Sequence, residues 1–413
     1  MSLPFDRFRH MGLAHRAGLA SILALAACDA GEPREMERIT VRDSAGLEIL
    51  EVDRDRVPAV WSVASEPEWV VGEEGLDLYS VEDVVLLDPD VLLIAEGSTQ
   101  EVIRVDLPSG ETVRWGGAGD GPEEFRGLAR LFDLGEGKVG LYDRTRRRYV
   151  ELDPDGAMIA ALDLMEVSET ADPPLMRMAG GGASGEPSLY LAERTGLPSG
   201  SVDGPFRGTG PVMRLGESVD TLTSIRGATT FVGDGGAGIV LFGATTLLAG
   251  EAAGLWIGDT AEEEVVLWNE SGTMERVLRW RTEDTRQLTD ARLDEFWTRL
   301  EAGLPEQERA MLDQMRGMFR FSDQIPAFGS LLADPAGRVW IGGVVPPERM
   351  ILEEPWPAQE WLVFDIPAGE ASRLTTPAGF QAMRVTGSHV LGVHTNELGV
   401  ETVRAYRLIR EEE

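Results

Sequence analysis

The stretch that decides the fold is Gly140-Leu141-Tyr142-Asp143, a short apolar run that ends in an acidic residue. A polar turn follows, then a second apolar run, Tyr149 to Leu152, and then a turn glycine, Gly156. The same order recurs at Leu93-Ile94-Ala95-Glu96 and at Trp256-Ile257-Gly258-Asp259, and 13 or 14 residues separate the acidic residue from its turn glycine each time. Random strands would not keep that register, so the chain repeats a β-hairpin unit.

Weaker copies complete the series as a third, a fifth and a sixth unit. They are Leu189-Tyr190-Leu191-Ala192-Glu193, Val339-Trp340-Ile341-Gly342-Gly343 and Val390-Leu391-Gly392-Val393-His394. The six register positions are separated by 47, 50, 66, 84 and 51 residues, and most of these spacings suit a four-stranded antiparallel sheet with modest loops. Radial stacking of such sheets buries both faces and leaves only short edges. The sequence therefore predicts an all-β fold, a six-bladed β-propeller over residues 39–413.

The period fails between the fourth and fifth units, where the sequence predicts a helical insertion at about residues 284–321. One helical stripe carries Leu293, Phe296, Trp297 and Leu300, and a second stretch carries the methionine-rich face Met311, Leu312, Met315, Met318 and Phe319. We interpret both helices as packed on the rim of the propeller. The alternative is an adaptable binding surface or lid, since methionine repacks easily around varied partners.

Ring closure is predicted from the two ends of the repeat region. Ile39 to Arg42 and Leu47 to Leu50 alternate as a hairpin before the first unit, and the final run, Thr402 to Ile409, also alternates. An N-terminal strand that joins the last blade hides two edges that would otherwise promote aggregation. We therefore expect this hairpin to close the last blade.

The glycine-rich segment Gly116 to Phe125 has the sequence Gly-Gly-Ala-Gly-Asp-Gly-Pro-Glu-Glu-Phe. Together with the unit Gly137 to Gly156, it resembles the blade junction of bacterial six-bladed β-propeller lipoproteins related to NHL-repeat proteins. The segment lacks the Lys-Ser/Thr pair of a P-loop, and Pro122 leads into a strand rather than a helix. We therefore interpret it as a tight turn between blades and not as a phosphate site.

The N-terminus has the charge-then-apolar order of a bacterial export signal, with three arginines before an apolar run from Ala17 to Ala27. Leu25-Ala26-Ala27-Cys28 resembles a lipobox, which implies cleavage before Cys28 and acylation of its sulfur and new amino group. The predicted organisation is a signal peptide at 1–27, a lipid-anchored tether at 28–38, and then the propeller. The expected location is the cell envelope, with the propeller facing the periplasm or the exterior.

Composition narrows the range of partners and chemistries. The net charge of −33 repels nucleic acid and anionic lipid head groups, so we expect no nucleic-acid partner and membrane contact through the lipid anchor only. Cys28 is the single cysteine, and two of the four histidines lie in the leader. His389 and His394, five residues apart, would face opposite sides of one strand, which argues against a two-histidine metal site.

Four acidic residues stand at the register position that ends a strand: Glu96, Asp143, Glu193 and Asp259. In NHL-like repeats the equivalent carboxylates usually accept hydrogen bonds from the backbone of a turn, which is the interpretation we favour. The alternative is a calcium site, because carboxylates from several blades that converge on the channel would suit that cation.

Four arginines stand out in so acidic a chain because each falls in a run predicted to be the innermost strand of a blade: Arg126, Arg130, Arg177 and Arg384. They are predicted to form a carboxylate- or phosphate-binding ring in the channel. Alternatively, they neutralise neighbouring carboxylates, namely Asp83, Glu123 and Glu124. Tyr79 and Phe328 hold similar positions, where they would stack on a ligand or fill the channel mouth.

These observations favour a lipid-anchored binding module without catalysis, because no catalytic constellation is visible in the sequence. The expected partner is a small anionic ligand or an extracytoplasmic protein at the channel mouth. The alternative, implied by resemblance to six-bladed propeller enzymes, is a calcium-dependent lactonase-like hydrolase or lyase that uses channel carboxylates.

Overall fold

The computed structural model describes residues 39–73, 75–167, 177–181, 188–192, 202–215, 219–233, 236–251, 253–309, 312, 316–317 and 319–411. In these residues six sheets form the blades of a six-bladed β-propeller, which confirms the predicted fold class, and a seventh small sheet is added to them. The predicted signal peptide (1–27) and tether (28–38), with Cys28, lie outside the described residues. Within the described ranges, no helix combines the length and the apolar character that crossing a bilayer requires.

Four strands and a turn of 3-10 helix (Arg54–Arg56) precede the first blade. The strands are β1 (Thr40–Ser44), β2 (Leu47–Asp53), β3 (Trp61–Val63) and β4 (Trp69–Val71). Blade one is β5 (Val81–Asp88), β6 (Val91–Glu96), β7 (Glu101–Asp106) and β8 (Thr112–Gly116). Blade two is β9 (Leu128–Asp133), β10 (Val139–Asp143), β11 (Arg148–Leu152) and β12 (Met158–Asp163), followed by a short helix, Leu164–Val167.

The strands of blade three alternate along the chain with those of the added sheet. Blade three is β13 (Arg177–Gly181), β14 (Ser188–Ala192), β16 (Thr209–Leu215) and β17 (Val219–Arg226). The added sheet is β15 (Val202–Phe206), β18 (Thr230–Gly233), β19 (Gly236–Leu241) and the distant β24 (Arg320–Phe321). Blade four is β20 (Thr246–Glu251), β21 (Gly254–Asp259), β22 (Glu264–Trp268) and β23 (Met274–Arg281).

The last two blades follow the helical insertion. Blade five is β25 (Ser330–Ala333), β26 (Arg338–Gly342), β27 (Gln359–Asp365) and β28 (Glu370–Thr376), with a helix at Pro347–Ile351. Blade six is β29 (Phe380–Val385), β30 (His389–Thr395) and β31 (Glu401–Arg410). The six units found in the sequence are thus the second strands of the six blades. The turn glycines Gly110, Gly156 and Gly272 have φ of +73°, +86° and +75°, a region that glycine occupies without strain.

Buried side chains form one cluster at each of the six junctions between neighbouring blades. The cluster that joins blades six and one packs Leu391 and Val403 against Val84 and Leu92. Each of these four side chains is completely buried, which is worth roughly 1.5–3 kcal/mol apiece relative to exposure. The ring is therefore closed by the same kind of contact that holds its other junctions.

The N-terminal segment forms a belt over residues 39–71 along the outer edges of three blades. Strand β2 pairs in parallel with β23 in blade four, whereas β3 and β4 both pair antiparallel with β31 in blade six. Between them, the Pro58 carbonyl accepts a hydrogen bond of 2.8 Å from the Arg373 amide in blade five. Closure of the last blade by an N-terminal strand is confirmed. The assignment of that role to the hairpin of residues 39–50 is wrong, because this hairpin extends blade four.

Charge and apolar pattern explain why the hairpin joins blade four. Leu50 enters the core cluster between blades four and five, and on the solvent side Glu51 lies 3.1 Å from Arg279 of β23. Likewise, Glu48 Oε2 lies 2.5 Å from Arg276 Nε. Burial acts to raise the pKa of Glu51, but hydrogen bonds from Arg42 and Arg279 outweigh it and lower that pKa. The outer strand of blade four thus supplies the cations that this acidic strand needs.

The helical insertion lies between blades four and five, as predicted. Its first helix is Asp290–Gly303, and the Thr289 side chain caps it by accepting a hydrogen bond from the Arg292 amide. Phe296 and Leu300 are buried in a cluster with side chains of the added sheet and of residues 351–352, so this helix packs on the rim. A shorter helix follows at Glu306–Arg309. The side chains of Met311, Met315 and Met318, and with them most of the methionine-rich face, lie outside the described residues.

Candidate binding cavity in the central channel

A cavity of about 600 Å³ lies where the innermost strands of the blades meet. All six blades contribute to its wall, through Glu82, Ala129 and Arg130, Ala192, Thr246 to Leu248, Ser330 to Leu332, and Gln381 to Met383, in the order of the blades. Because every blade takes part, this cavity belongs to the central channel of the propeller. Its volume lies in the range of small-molecule sites, roughly 300–1,000 Å³.

Three guanidinium groups stand on the cavity wall: Arg130 on β9, Arg144 just after β10, and Arg226 at the end of β17. The Arg130 and Arg144 side chains are 50% and 56% exposed. Arg130 Nη1 lies 3.8 Å from Asp83 Oδ1 and Arg144 Nη2 lies 4.0 Å from Glu82 Oε2, so neither pair is within hydrogen-bond distance. Arg226 is exposed and forms no ion pair with a described residue. These groups keep donor capacity for a ligand.

The rest of the wall is largely neutral. Glu82 is the only carboxylate among its described residues, and Ser330 and Gln381 add uncharged polar groups. Burial raises the pKa of the Tyr142 hydroxyl, which also lines the cavity, to about 12. That phenol therefore stays protonated at ordinary pH, and among the described wall residues three guanidinium groups face one carboxylate.

Arg384, a predicted ligand-binding residue, forms hydrogen bonds that join three blades. Its Nη2 donates to Asp83 Oδ2 at 2.6 Å and to the Leu131 carbonyl at 2.7 Å. The Asp83 side chain has no exposed surface, and its Oδ2 also accepts the Leu131 amide at 3.0 Å. Arg384 of blade six thus neutralises a buried carboxylate of blade one and binds blade two, as the alternative interpretation of the arginines had it.

Three further predicted site residues lie outside the cavity wall: Arg126, Tyr79 and Phe328. Each precedes the first residue of its innermost strand by two positions, so the expectation that these strands contain them is wrong. Arg126 pairs with Asp120 of the glycine-rich junction. Tyr79 is 69% exposed, and Phe328 is 1% exposed, with its ring edge-to-face on Trp280 in the core between blades four and five.

Arg177 is the first residue of β13, the innermost strand of blade three. Its backbone position therefore agrees with the prediction, while its side chain lies outside the described part of the chain. Among the three predicted arginines whose side chains the structure describes, Arg130 lies on the cavity wall.

The register carboxylates accept hydrogen bonds from turns. Glu96 accepts the Ser80 and Thr99 amides at 2.9 and 2.7 Å, and Asp143 accepts the Arg146 amide at 2.9 Å. Burial acts to raise the pKa of Glu96, but these backbone bonds and the Ser98 and Thr99 hydroxyls lower it overall. This geometry agrees with turn capping. Glu193 lies outside the described residues.

Asp259 differs from Glu96 and Asp143 because it also forms an ion pair, with Arg207. It accepts the Ala261 amide at 3.0 Å, and its two oxygens lie 2.8 and 2.9 Å from Arg207 Nη1. In the part of the chain that the structure describes, no three His, Cys, Asp or Glu side chains are grouped so as to hold a metal ion.

Arg144 and Arg226 were not predicted as site residues. Arg144 directly follows the register acid Asp143, whereas the first and fourth units carry Gly97 and Thr260 at that position. Comparing the units one residue beyond the register point would have singled it out. No comparable signal marks Arg226, because blade three carries the weak copy of the repeat.

None of the protein-family models and none of the curated protein sequences matches this chain. Among solved structures, a DUF4221 family member from Bacteroides vulgatus aligns with a TM-score of 0.50 at 8% identity, covering 85% of this chain and 99% of that one. An exported protein from Bacteroides fragilis aligns with a TM-score of 0.48 at 9% identity, covering 88% and 99%. Virginiamycin B lyase from Staphylococcus aureus aligns with a TM-score of 0.39 at 9% identity, covering 84% of this chain and 99% of that one. At such identities the first likeness shows the propeller fold alone.

Proposed function

We propose that this chain is a non-catalytic binding protein that takes a small anionic ligand into its central cavity. The observation that carries the proposal is the set of three exposed guanidinium groups, Arg130, Arg144 and Arg226, around one cavity. Glu82 is the single carboxylate among the described wall residues, and the nearby Asp83 is already neutralised by Arg384. The cations on the wall therefore exceed the anions available to them.

The chemistry of these groups defines the ligand class. A guanidinium fork matches the geometry of a carboxylate or phosphate and binds it through two parallel hydrogen bonds. A ligand of about 600 Å³ or less that carries such groups would fit the cavity. The size of the cavity favours a small molecule over a protein segment as the partner.

The proposal includes the location and the anchor. The export-signal pattern and the lipobox around Cys28 support acylation and a place in the cell envelope, as in the NHL-related propeller lipoproteins that the chain resembles. Two or more acyl chains hold a protein at a membrane much more firmly than one chain does.

Calorimetric titration of the full mature chain with citrate and with inorganic phosphate, at low salt, tests the binding site. We expect one site per chain for at least one of these probes. Arg130→Gln and Arg226→Gln should each weaken binding by about tenfold, since a hydrogen bond to a charged group contributes roughly 1.5 kcal/mol or more. Arg126→Gln is the matched control, because that arginine is similarly exposed and lies outside the cavity wall.

Equal loss of affinity in Arg126→Gln, or unchanged affinity in the two cavity variants, would overturn the site. Elemental analysis of the purified protein for bound calcium tests the alternative, a calcium-dependent enzyme. Stoichiometric calcium would favour the lactonase-like hydrolase or lyase instead.

A further inference from the structure

A second cavity, of about 700 Å³, lies beside the added sheet. Its described wall residues are Gly204, Pro205, Phe231, Val232, Ala244, Ala261, Arg286 and residues 320–325, and none of them lines the central cavity. All of them fall in the two longest intervals of the repeat, those of 66 and 84 residues. These two intervals are longer than a four-stranded blade requires, and their residues form this cavity.

The wall of this second cavity is held in place by contacts of its own. The Phe231 ring packs directly on the backbone of Gly238, where an added Cβ would come within 2.3 Å of the ring. The guanidinium of Arg320, a residue of β24, lies 5.3 Å from the centre of the Phe231 ring. Arg286 joins two sides of the wall by donating to the Ala261 carbonyl at 2.9 Å and the Ile325 carbonyl at 3.2 Å. The cavity is therefore preformed, as small-molecule sites usually are.

The rim helix braces the same wall from outside. Phe321, next to Arg320 on β24, meets Phe296 of the helix edge-to-face, with 5.3 Å between ring centres. Phe296 itself is 2% exposed. The helical insertion therefore supports the cavity that its last residues help to form.

The chemistry of the wall is mainly apolar, with a cation at its edge. The apolar side chains are Pro205, Phe231, Val232, Ala244, Phe321 and Ile325. Arg320 is exposed and donates through Nη1 to the carbonyls of Gly317 and Phe319, at 3.0 and 3.1 Å. Arg286 adds a second cation, which lies 3.6 Å from Glu263, and Asp323 is the carboxylate among the described wall residues.

We propose that this cavity is a second ligand site, for a small organic anion with an aromatic or aliphatic body. The body packs against Phe231 and Val232, and the anionic group pairs with Arg320, whose guanidinium presents several donors. The site is independent of the central cavity, so either proposal stands or falls without the other.

Fluorescence titration with 8-anilinonaphthalene-1-sulfonate, an aromatic anion, tests the site on the full mature chain. We expect saturable enhancement at one site. Ala244→Trp, which fills the cavity, and Arg320→Gln, which removes its exposed cation, should weaken binding by about tenfold and about threefold or more. Arg281→Gln is the control, because that arginine is 77% exposed on β23 and lies outside the wall.

The dye also binds partly unfolded proteins, so each variant must keep the melting temperature of the native protein. Unchanged affinity in a natively folded Arg320→Gln and Ala244→Trp would overturn the proposal, as would equal loss in Arg281→Gln. If Ala244→Trp fails to fold, Arg320→Gln decides alone. Loss of dye binding in Arg130→Gln instead would place the dye in the central cavity and exclude the second site.

Discussion

Gly156 shows how one residue sets the distance between two blades. It lies in the turn between β11 and β12 of blade two, with φ of +86°, and a Cβ there would come within 2.4 Å of the Trp115 indole. Trp115 belongs to the outer strand of blade one and is 8% exposed in the core between the two blades. The glycine is thus required both for the turn and for the contact.

Gly156→Ala should therefore lower the free energy of unfolding by more than Gly110→Ala. Both glycines have positive φ, where an alanine costs about 1–2 kcal/mol, but nothing lies within 4 Å of a Cβ at Gly110. The added clash with Trp115 should contribute about 1–3 kcal/mol more. Urea unfolding of the two variants measures the difference, and equal losses would show that the indole moves aside without cost.

Arg384 and Arg130 both face Asp83 but should behave differently when they are removed. Arg384→Met leaves the buried Asp83 carboxylate without its 2.6 Å partner, which should cost about 3 kcal/mol, the lower end for a broken buried pair because Arg384 is 29% exposed. Arg130→Met, whose contact with Asp83 is 3.8 Å, should cost less than about 1 kcal/mol.

Chemical denaturation of both variants checks this difference. Adding Asp83→Asn to Arg384→Met should restore part of the loss, since no buried charge then remains unpaired. Similar losses in the free energy of unfolding for the two arginine variants, with no restoration by Asp83→Asn, would contradict the stabilising role of the Arg384–Asp83 pair.

The innermost strands contain Arg130, Arg177 and Arg384 as predicted, whereas Arg126, Tyr79 and Phe328 each lie two residues before the strand that was expected to contain them. Alternation locates a strand but not its first residue. That residue is decided by register carboxylates, since Glu96 holds the Ser80 amide and Asp143 holds the Arg126 amide in the turn before the strand. Tyr79 and Arg126 therefore precede β5 and β9 rather than belonging to them. The contacts that decide this link residues 16 or 17 positions apart.

Among the elements, the belt is the one whose role differed most from expectation. The hairpin itself was predictable from its alternation and from its turn, where Ala45 and Gly46 have φ of 58° and 88°. Its partner strand was not, because β2 and β23 are more than 200 residues apart. The added sheet was unpredictable for the same reason, since it pairs Val240 with Arg320.

Deletion of residues 39–50 should loosen blade four and leave the closure of the ring intact. Amide hydrogen exchange should increase in Arg276 to Leu278 of β23, which lose the pairing with Glu48 to Leu50, and stay slow in β31, which keeps β3 and β4. Exchange measured by mass spectrometry on the deletion variant and on the intact chain tests this. Faster exchange confined to β31 would show instead that the hairpin of residues 39–50 stabilises the last blade.

Glu68, in the segment between β3 and β4, makes the stability of the strands that close blade six depend on pH. The neighbouring side chains of His389 and Arg407 lower the pKa of the Glu68 carboxyl from its ordinary 4.5. A carboxyl with a lowered pKa in the folded state contributes stability that is present above about pH 4.5 and is lost as the pH falls through the folded value. Glu68→Gln should thus reduce stability at pH 6 and flatten its decline in acid.

Melting temperatures between pH 3 and pH 6 measure the effect of Glu68→Gln. Glu66→Gln, on the same segment and without an ion pair among the described residues, is the control. If both variants decline in acid as the unchanged protein does, the Glu68 contacts contribute nothing to closure.

At the scale of the whole molecule, the ring was predictable because a repeat is a property of the sequence alone. Six units separated mostly by about 50 residues lead to six blades, whichever side chains fill each junction. The central cavity was less predictable, since it gathers residues from units that the repeat treats as equivalent. Arg130 and Arg144 belong to blade two and Arg226 to blade three, so they share one wall because these two blades are neighbours in the ring.

Cys28→Ser should abolish acylation and membrane attachment without changing the melting temperature. The residue precedes Ile39, the first described residue of the propeller, and removing its sulfur removes the acyl acceptor. Membrane fractionation with mass spectrometry of the intact protein provides the measurement. A variant that still sediments with membranes and still carries acyl mass would refute the anchor at this cysteine.

The belt along blades four, five and six also has a mechanical consequence. A force applied at Ile39 first meets the antiparallel pairing of β1 with β2, and then the parallel ladder between β2 and β23, whose six residue pairs run from Glu48 with Arg276 to Asp53 with Arg281. Pulled along the strand axis, these hydrogen bonds are loaded together in shear rather than opened one after another. Strands β3 and β4, which close the ring in blade six, follow β2 along the chain and bear load only after this ladder has yielded, so blade four shields them from tension applied at Ile39.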